Sequence, residues 1–330
     1  MAQSTSIHLR MVIPPAPWTR AMEDGSVRIP GLTWECVSEI DNAPDRFIAT
    51  EQGDVAVGEN GVRRLVLELL KGRPARAIPV WFGREHMQRN IIVRADSPLH
   101  HPRDLAGKRI GSRLTIQSGT GAAVLMVLDH AYGIDLMSID WFMGDPASLP
   151  ANAMGLRLHD GPTSEEAEFA MLLRGDVDAV IETTGPRYHS LFGADSIDQL
   201  LARYPGTRPL IEDPGVIAET YRRTGLYPIS DLATVDPDVA RAHPEIPGQV
   251  VEAFSQANRR AAAYRPADEQ ALAEREIELL GEDPHVYGLS DTARANIAAF
   301  IDFLHRLGAF ERPVPPEDLF HPSTLPGGGR

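Results

Sequence analysis

Cysteine is almost missing from this chain. Cys36 stands alone among 330 residues, so no disulfide can form within the chain and the fold must stand on packing. Long apolar runs are missing too: no stretch reaches the roughly 20 apolar residues that a membrane-spanning helix needs. Positive charge is in deficit, with 32 Lys and Arg against 46 Asp and Glu and a net charge of −14. That balance argues against a nucleic acid or an anionic membrane surface as partner. An anionic ligand would have to be drawn by local arginines. Internal repeats, phosphate-loop motifs and zinc-ligand spacings are all lacking. His100 and His101 sit in a Pro-flanked loop, where adjacent side chains project differently and more often decorate a surface than share a metal. No cofactor is expected, with a divalent metal left open. Residues Met1 to Ser6 have no basic start, apolar run or small-residue cleavage site, and this start favours a cytoplasmic protein.

What is there suits a protein with real cores. Hydrophobic residues make up 43% and charged residues 24%, over a length that accommodates two domains. Ile7, Leu9, Met11 and Ile13 alternate with His8, Arg10 and Val12 as a first strand, which Pro14 to Pro17 end. Trp18 and Thr19 follow as cleft candidates, beside the equal reading of Trp18 as a core aromatic. Leu32, Trp34 and Cys36 mark a second strand, with Cys36 pointing into a core. Pro44 to Gln52 reads as a helix and Asp54 to Val57 as a short buried strand. Gly58, Glu59 and Asn60 then precede a helix carrying Val62, Leu65, Val66 and Leu69 and ended by Gly72. Glu59 and Asn60 thus fall at a strand-to-helix crossing, where open α/β sheets bind ligands, or else form that helix's N-terminal cap.

The stretch from Ile78 to Trp141 organises the rest, as a crossing from one α/β lobe to another. Ala77 to Trp81 is a strand with Phe82, Gly83 and Arg84 as its exit. Ile91 to Val93 is a second, and Pro98 stops regular pairing. Pro102 to Gly107 makes one helical turn and Lys108 to Ser112 another strand. Val124, Val127, Leu128 and Ala131 then define a helix from about Thr120 to Gly133. Its start, Ser118, Gly119, Thr120 and Gly121, offers open amides, the helix dipole and two hydroxyls as a carboxylate seat. The plainer reading is a helix cap. Thr163 and Glu166 fit a capping box, and Val177 to Ile181 is a buried parallel strand. Its exit carries Thr183, Thr184 and Arg187, anion-binding types at a second crossing, with Gly185 and Pro186 open to a simple turn. From about Ile217 the chain returns to the first lobe, placing Tyr227, Ser230 and Asp231 at the hinge side of the cleft. The remainder is helical, and the Pro- and Gly-rich 313–330 reads as a tail on the surface or disordered.

Pro79-Val80, Arg84, Ile92-Val93, the run Pro102-x-Asp-Leu-x-Gly-Lys-Arg-Ile-Gly111, Tyr132-Gly133 and Ile139-x-Trp141 resemble the core of the 4,5-dihydroxyphthalate decarboxylase family. Leu172 to Ala179 and Tyr221 to Ile229 are similar to two more of its segments. That family is an enzyme branch of the type II periplasmic binding protein fold. The resemblance runs from about residue 7 to 265. It departs where Met87-Gln88 replaces an Arg-His pair, Asp231 a His and Leu125 an Arg. The implied fold is α/β and two-lobed, each lobe a mixed, mainly parallel sheet flanked by helices. Residues 1–94 with 217–330 would form lobe one and 95–216 lobe two. The implied activity is decarboxylation of an aromatic, hydroxyphthalate-like or related carboxylate in aromatic catabolism. Glu59 or Asp231 would supply the acid, and Arg84, Ser118 to Gly121, Thr183, Thr184, Arg187, Tyr227 and Trp18 would bind the ligand. The alternatives are a non-catalytic solute-binding protein for a small anion, or another reaction such as hydrolysis or elimination. A homo-oligomer is left open.

Overall fold

The computed structural model describes residues 6–13, 16–37, 56–84, 86–114, 118–144, 146, 153–182 and 195–326, with backbone alone at Gly83 and 195–198. The strands are β1 (Ile7–Val12), β2 (Leu32–Val37), β3 (Val57–Gly61), β4 (Ala77–Arg84), β5 (Ile91–Arg94), β6 (Arg109–Ser112), β7 (Asp140–Met143), β8 (Arg157–Asp160), β9 (Ala179–Ile181), β10 (Thr207–Pro209) and β11 (Ile229–Val235). The helices are α1 (Arg20–Glu23), α2 (Val62–Leu70), α3 (Gly119–Met126), α4 (Glu165–Arg174), α5 (Asp195–Arg203), α6 (Pro214–Thr224), α7 (Pro237–Ala242), α8 (Ile246–Arg259), α9 (Ala267–Leu280) and α10 (Asp291–Arg306).

Two sheets result, ordered β2-β1-β3-β11-β4 and β10-β5-β9-β6-β7-β8. In the first, β1 runs parallel to β2 and β3, while the returning β11 lies antiparallel to β3 and β4. In the second, β9, β6, β7 and β8 are parallel, and β5 is antiparallel to β9 and β10. The chain therefore crosses lobes between Arg84 and Ile91, and β5 belongs to the second sheet although the sequence reading kept residues up to 94 in lobe one. The β-branched run Ile91, Ile92 and Val93 is wholly buried there.

One helix joins the two halves. Ala122, Ala123, Val124, Leu125 and Met126 of α3 are all buried, and the π-helical turn Val127–Ala131 prolongs it. A helix apolar all round has neighbours all round. Here they include α10 and β11 of the first lobe, so the two sheets share one continuous core. Leu125, where the resembled family has an arginine, is fully buried in it. An arginine there would need a charged partner that this core does not supply.

Local details differ from the sequence reading in four places. Strand β3 continues through Gly58, Glu59 and Asn60, and Gly61 is the N-cap of α2. Glu59 and Asn60 are therefore strand residues rather than a loop or cap. Ser164, not Thr163, caps α4, its hydroxyl accepting from the Ala167 amide, so no capping box forms with Glu166. Residues 313–326 are built into lobe one, with Val314, Leu319 and Phe320 buried and the His321 amide donating to the Ala77 carbonyl at 2.8 Å. Cys36 is only partly buried, and burial, then Glu23 and Glu35, pushes its thiol up to about 12. A thiol in that state is no nucleophile. The helix expected over Pro44 to Gln52 lies outside the described residues.

Candidate functional site

The lobes meet where α3 begins. Ser118 is the N-cap, its Oγ accepting from the Gly121 amide at 3.0 Å. Its hydroxyl thus caps, and the first-turn amides and the positive end of the helix face the contact. Opposite stands β11. A Cβ on Gly119 would lie 3.3 Å from Ser230 Cβ and 3.6 Å from Asp231 Oδ2, and one on Gly61 would lie 3.4 Å from Asp231 Oδ1. The Asp231 carboxylate is therefore wedged between the end of β3 and the first turn of α3, with Ser230 Oγ donating to its Oδ2 at 2.6 Å. Gly61 pairs with Asp231 and Glu59 with Ala233. Directly opposed residues share a face, as do residues two apart along a strand, so Glu59 and Asp231 project from the same side of the sheet. Asn60 projects from the other side, where it is buried and donates to Thr234 Oγ1 at 3.0 Å.

Gly119 keeps this contact narrow. Gly119→Val would push two methyl groups at Ser230 and Asp231 and fill the seat. The expected outcome is at least about tenfold weaker binding, by calorimetry, of any carboxylate that the α3 amides hold, since losing one or two charge-assisted hydrogen bonds is worth about 1.5–3 kcal/mol each.

Arg84, Tyr227 and Trp18 form a second group inside lobe one. Arg84 is 6% exposed, and its Nη1 donates to the Pro284 carbonyl while Nε reaches the Tyr227 carbonyl at 3.4 Å. The guanidinium lies 4.8 Å from the Tyr227 ring centre and 5.8 Å from that of Trp81. Its expected role of holding a carboxylate meets a guanidinium already engaged by its own chain. Tyr227 is fully buried, stacked on His86 with ring centres 4.0 Å apart, and its hydroxyl donates to the Arg84 carbonyl at 3.3 Å. Trp18 stacks on Phe82 at 5.8 Å. Trp18, Trp81, Arg84, Arg265 and His285 border a cavity of about 20 Å³, room for a water rather than a ring.

Below them Glu276, 1% exposed, lies between two histidines: His86 Nε2 is 3.6 Å from one oxygen and His285 Nε2 3.8 Å from the other. Burial pulls His86 down to about 3 despite Glu276, with His285 and Arg84 pulling the same way, so it is neutral at physiological pH.

In lobe two, the exits of β6 and β9 carry a cluster that the sequence reading passed over. Arg113 donates from Nε and Nη2 to the two oxygens of Glu182, at 3.0 and 2.5 Å. Glu168, from the first turn of α4, comes within 3.7 Å of Arg113 Nε. A signal existed: Glu168 and Leu172 share one helix face, and Glu182 directly follows a buried strand. Thr183, Thr184 and Arg187 lie outside the described residues. Among the described residues, no group of three or more His, Cys, Asp or Glu could hold a metal ion, and no helix is long and apolar enough to cross a membrane.

Two lobes of this topology, facing each other across strand exits and helix starts, define the type II periplasmic binding protein fold. Solved structures agree. The periplasmic sulfonate-binding protein SsuA from Methylobacillus flagellatus KT superposes with a TM-score of 0.60 at 13% identity, covering 97% of this chain and 93% of that one. The desulfurization enzyme DSZB superposes with a TM-score of 0.56 at 19% identity, covering 97% and 98%. The particular likeness is to the 4,5-dihydroxyphthalate decarboxylase of Comamonas testosteroni, 29% identical over 327 residues, 93% of this chain and 94% of that protein. The NMT1/THI5 like family model matches residues 31–145. The resemblance read from the sequence therefore holds along nearly the whole chain.

Proposed function

We propose that this chain is a decarboxylase-type enzyme acting on an aromatic, hydroxyphthalate-like or related carboxylate held between the lobes. The observation that carries this reading is the Asp231 carboxylate set against the first turn of α3, in a chain similar end to end to a decarboxylase. A ligand carboxylate drawn to the α3 amides comes up beside Asp231 and on the side of the sheet that bears Glu59. A ligand carboxylate is a like-charged neighbour for Asp231, and such a neighbour favours the protonated form that an acid needs. A ring hydroxyl pushes electrons into the ring and Asp231 delivers its proton to the carbon bearing the carboxylate. The carbon–carboxylate bond then breaks, its electron pair restores the ring, and CO2 leaves. The ring itself takes up the electrons, so this route calls for no cofactor as electron sink.

Incubation with 4,5-dihydroxyphthalate and its hydroxyphthalate isomers, followed by CO2 release, tests this. Release by the wild type and a fall of about 100-fold or more in Asp231→Asn are expected, the scale of a lost general acid. Tight binding without release would favour a solute-binding protein for a small anion, as SsuA is a sulfonate-binding protein.

A further inference from the structure

Arg84 is a buried cation held by neutral groups. Its Nε and Nη1 bond the carbonyls of Tyr227 and Pro284, its Nη2 donates to nothing among the described residues, and two rings flank it. Among those residues no carboxylate forms an ion pair with it. A second arginine, Arg265, borders the same cavity as Arg84. Its Nη1 donates to the neutral Gln270 Oε1 at 3.2 Å, its Nε is buried without an acceptor, and it too lacks an ion pair among the described residues. Trp81, also on the cavity's border and 4% exposed, has an Nε1 donor without an acceptor. The carboxylates that act on the two arginines are Glu282 and Asp283 for Arg84, and Asp283, Glu269 and Glu276 for Arg265. Three of these are drawn elsewhere. Glu282 accepts from the Tyr221 hydroxyl at 2.5 Å, Asp283 accepts from the His285 amide at 2.9 Å, and Glu276 lies between His86 and His285. The permanent charges bordering the cavity are therefore both positive. A guanidinium does not shed its proton to escape burial, and a buried charge without a counter-charge is costly.

We propose that this cavity is a halide site, which takes one chloride ion against Arg84 and Arg265. Size selects the class. A volume of about 20 Å³ admits a monoatomic anion and excludes a carboxylate, sulfonate or phosphate. A water in the same place would accept from the donors but bring no counter-charge to the arginines. The ion joins β4, which carries Arg84, to the segment before α9, which carries Arg265, and so fastens this end of lobe one. None of the bordering residues belongs to the seat at the start of α3, so the site is independent of the decarboxylase reading.

The test is thermal unfolding of the full chain in sodium chloride and in sodium gluconate at equal ionic strength, which makes screening the same in both. Chloride should raise the midpoint saturably, by about 2–3 °C at high occupancy, and bromide should act alike. Arg265→Gln removes a cation at a partly exposed position and should weaken the chloride response about tenfold or more. Arg265→Lys keeps the charge and should restore part of it. A merely structural Arg265 would instead lower the midpoint equally in both salts. Crystals soaked in sodium bromide locate the ion, with an anomalous peak expected between Arg84 and Arg265. Equal wild-type midpoints in the two salts, a chloride response that survives Arg265→Gln, or bromide found only on outer surfaces with water in the cavity would overturn the proposal.

Discussion

Arg84→Ala is expected to lower the unfolding free energy by about 3–5 kcal/mol, the combined cost of a void beside two rings and of buried carbonyls left without a donor. The guanidinium is sandwiched near the Tyr227 and Trp81 rings and bonds the carbonyls of Pro284 and Tyr227. Truncation would leave those carbonyls short of a donor and a void between two aromatic rings. The loop that carries Pro284 is fastened elsewhere as well, by Tyr221 to Glu282 at 2.5 Å and by the Gly288 amide to the Pro79 carbonyl at 3.0 Å. Lysine should recover little, because a point charge does not stack or fork as a guanidinium does. Urea denaturation of wild type, Arg84→Ala and Arg84→Lys measures this. A loss below about 1 kcal/mol in Arg84→Ala would mean that the stack does not hold this end of lobe one.

Acid should destabilise the protein through His86 before ordinary carboxylates titrate. The folded state keeps this ring neutral down to about pH 3, whereas the unfolded chain protonates it near the ordinary histidine value of 6.5. Below that ordinary value the unfolded state binds a proton that the native state refuses. Stability is therefore fully present above pH 6.5 and falls as pH drops, by about 1.4 kcal/mol per unit and on the order of 4 kcal/mol across the window. His86→Phe keeps an aromatic ring against Tyr227 and removes the titration. Denaturation curves at pH 7.0, 5.5 and 4.5, values spanning roughly two units of this linkage, should show a steeper decline in wild type than in the variant. Parallel declines would place the proton elsewhere.

Both effects belong to residues whose importance the sequence showed unevenly. Alternation in β1 and β2, the buried runs of β5 and β9, and the apolar spacing of α2 and α3 were readable, because burial imposes a period. So was the meeting of Ser118 to Gly121 with the Asp231 segment, at the level of topology. The state of Arg84 was not, since its acceptor Pro284 is 200 residues further on and nothing local to either announces the pair. His86, Glu276 and His285 escaped for the same reason, and Arg113, Glu182 and Glu168 converge from a strand exit, another strand exit and a helix. Polar clusters of this kind are made by tertiary contact and leave only a charged residue on an otherwise apolar face. Leu125 was the converse case: its mismatch with the resembled family was visible, but its burial between the lobes supplies the reason.

The most direct measurement is a crystal structure of the protein with 4,5-dihydroxyphthalate, using Asp231→Asn to slow turnover. A ring between the lobes, with one carboxylate on the amides of Gly119 and Thr120 and its ipso carbon facing residue 231, is the predicted result. A ligand lodged under Pro284 beside Arg84 instead, or on an outer face of either lobe, would contradict it.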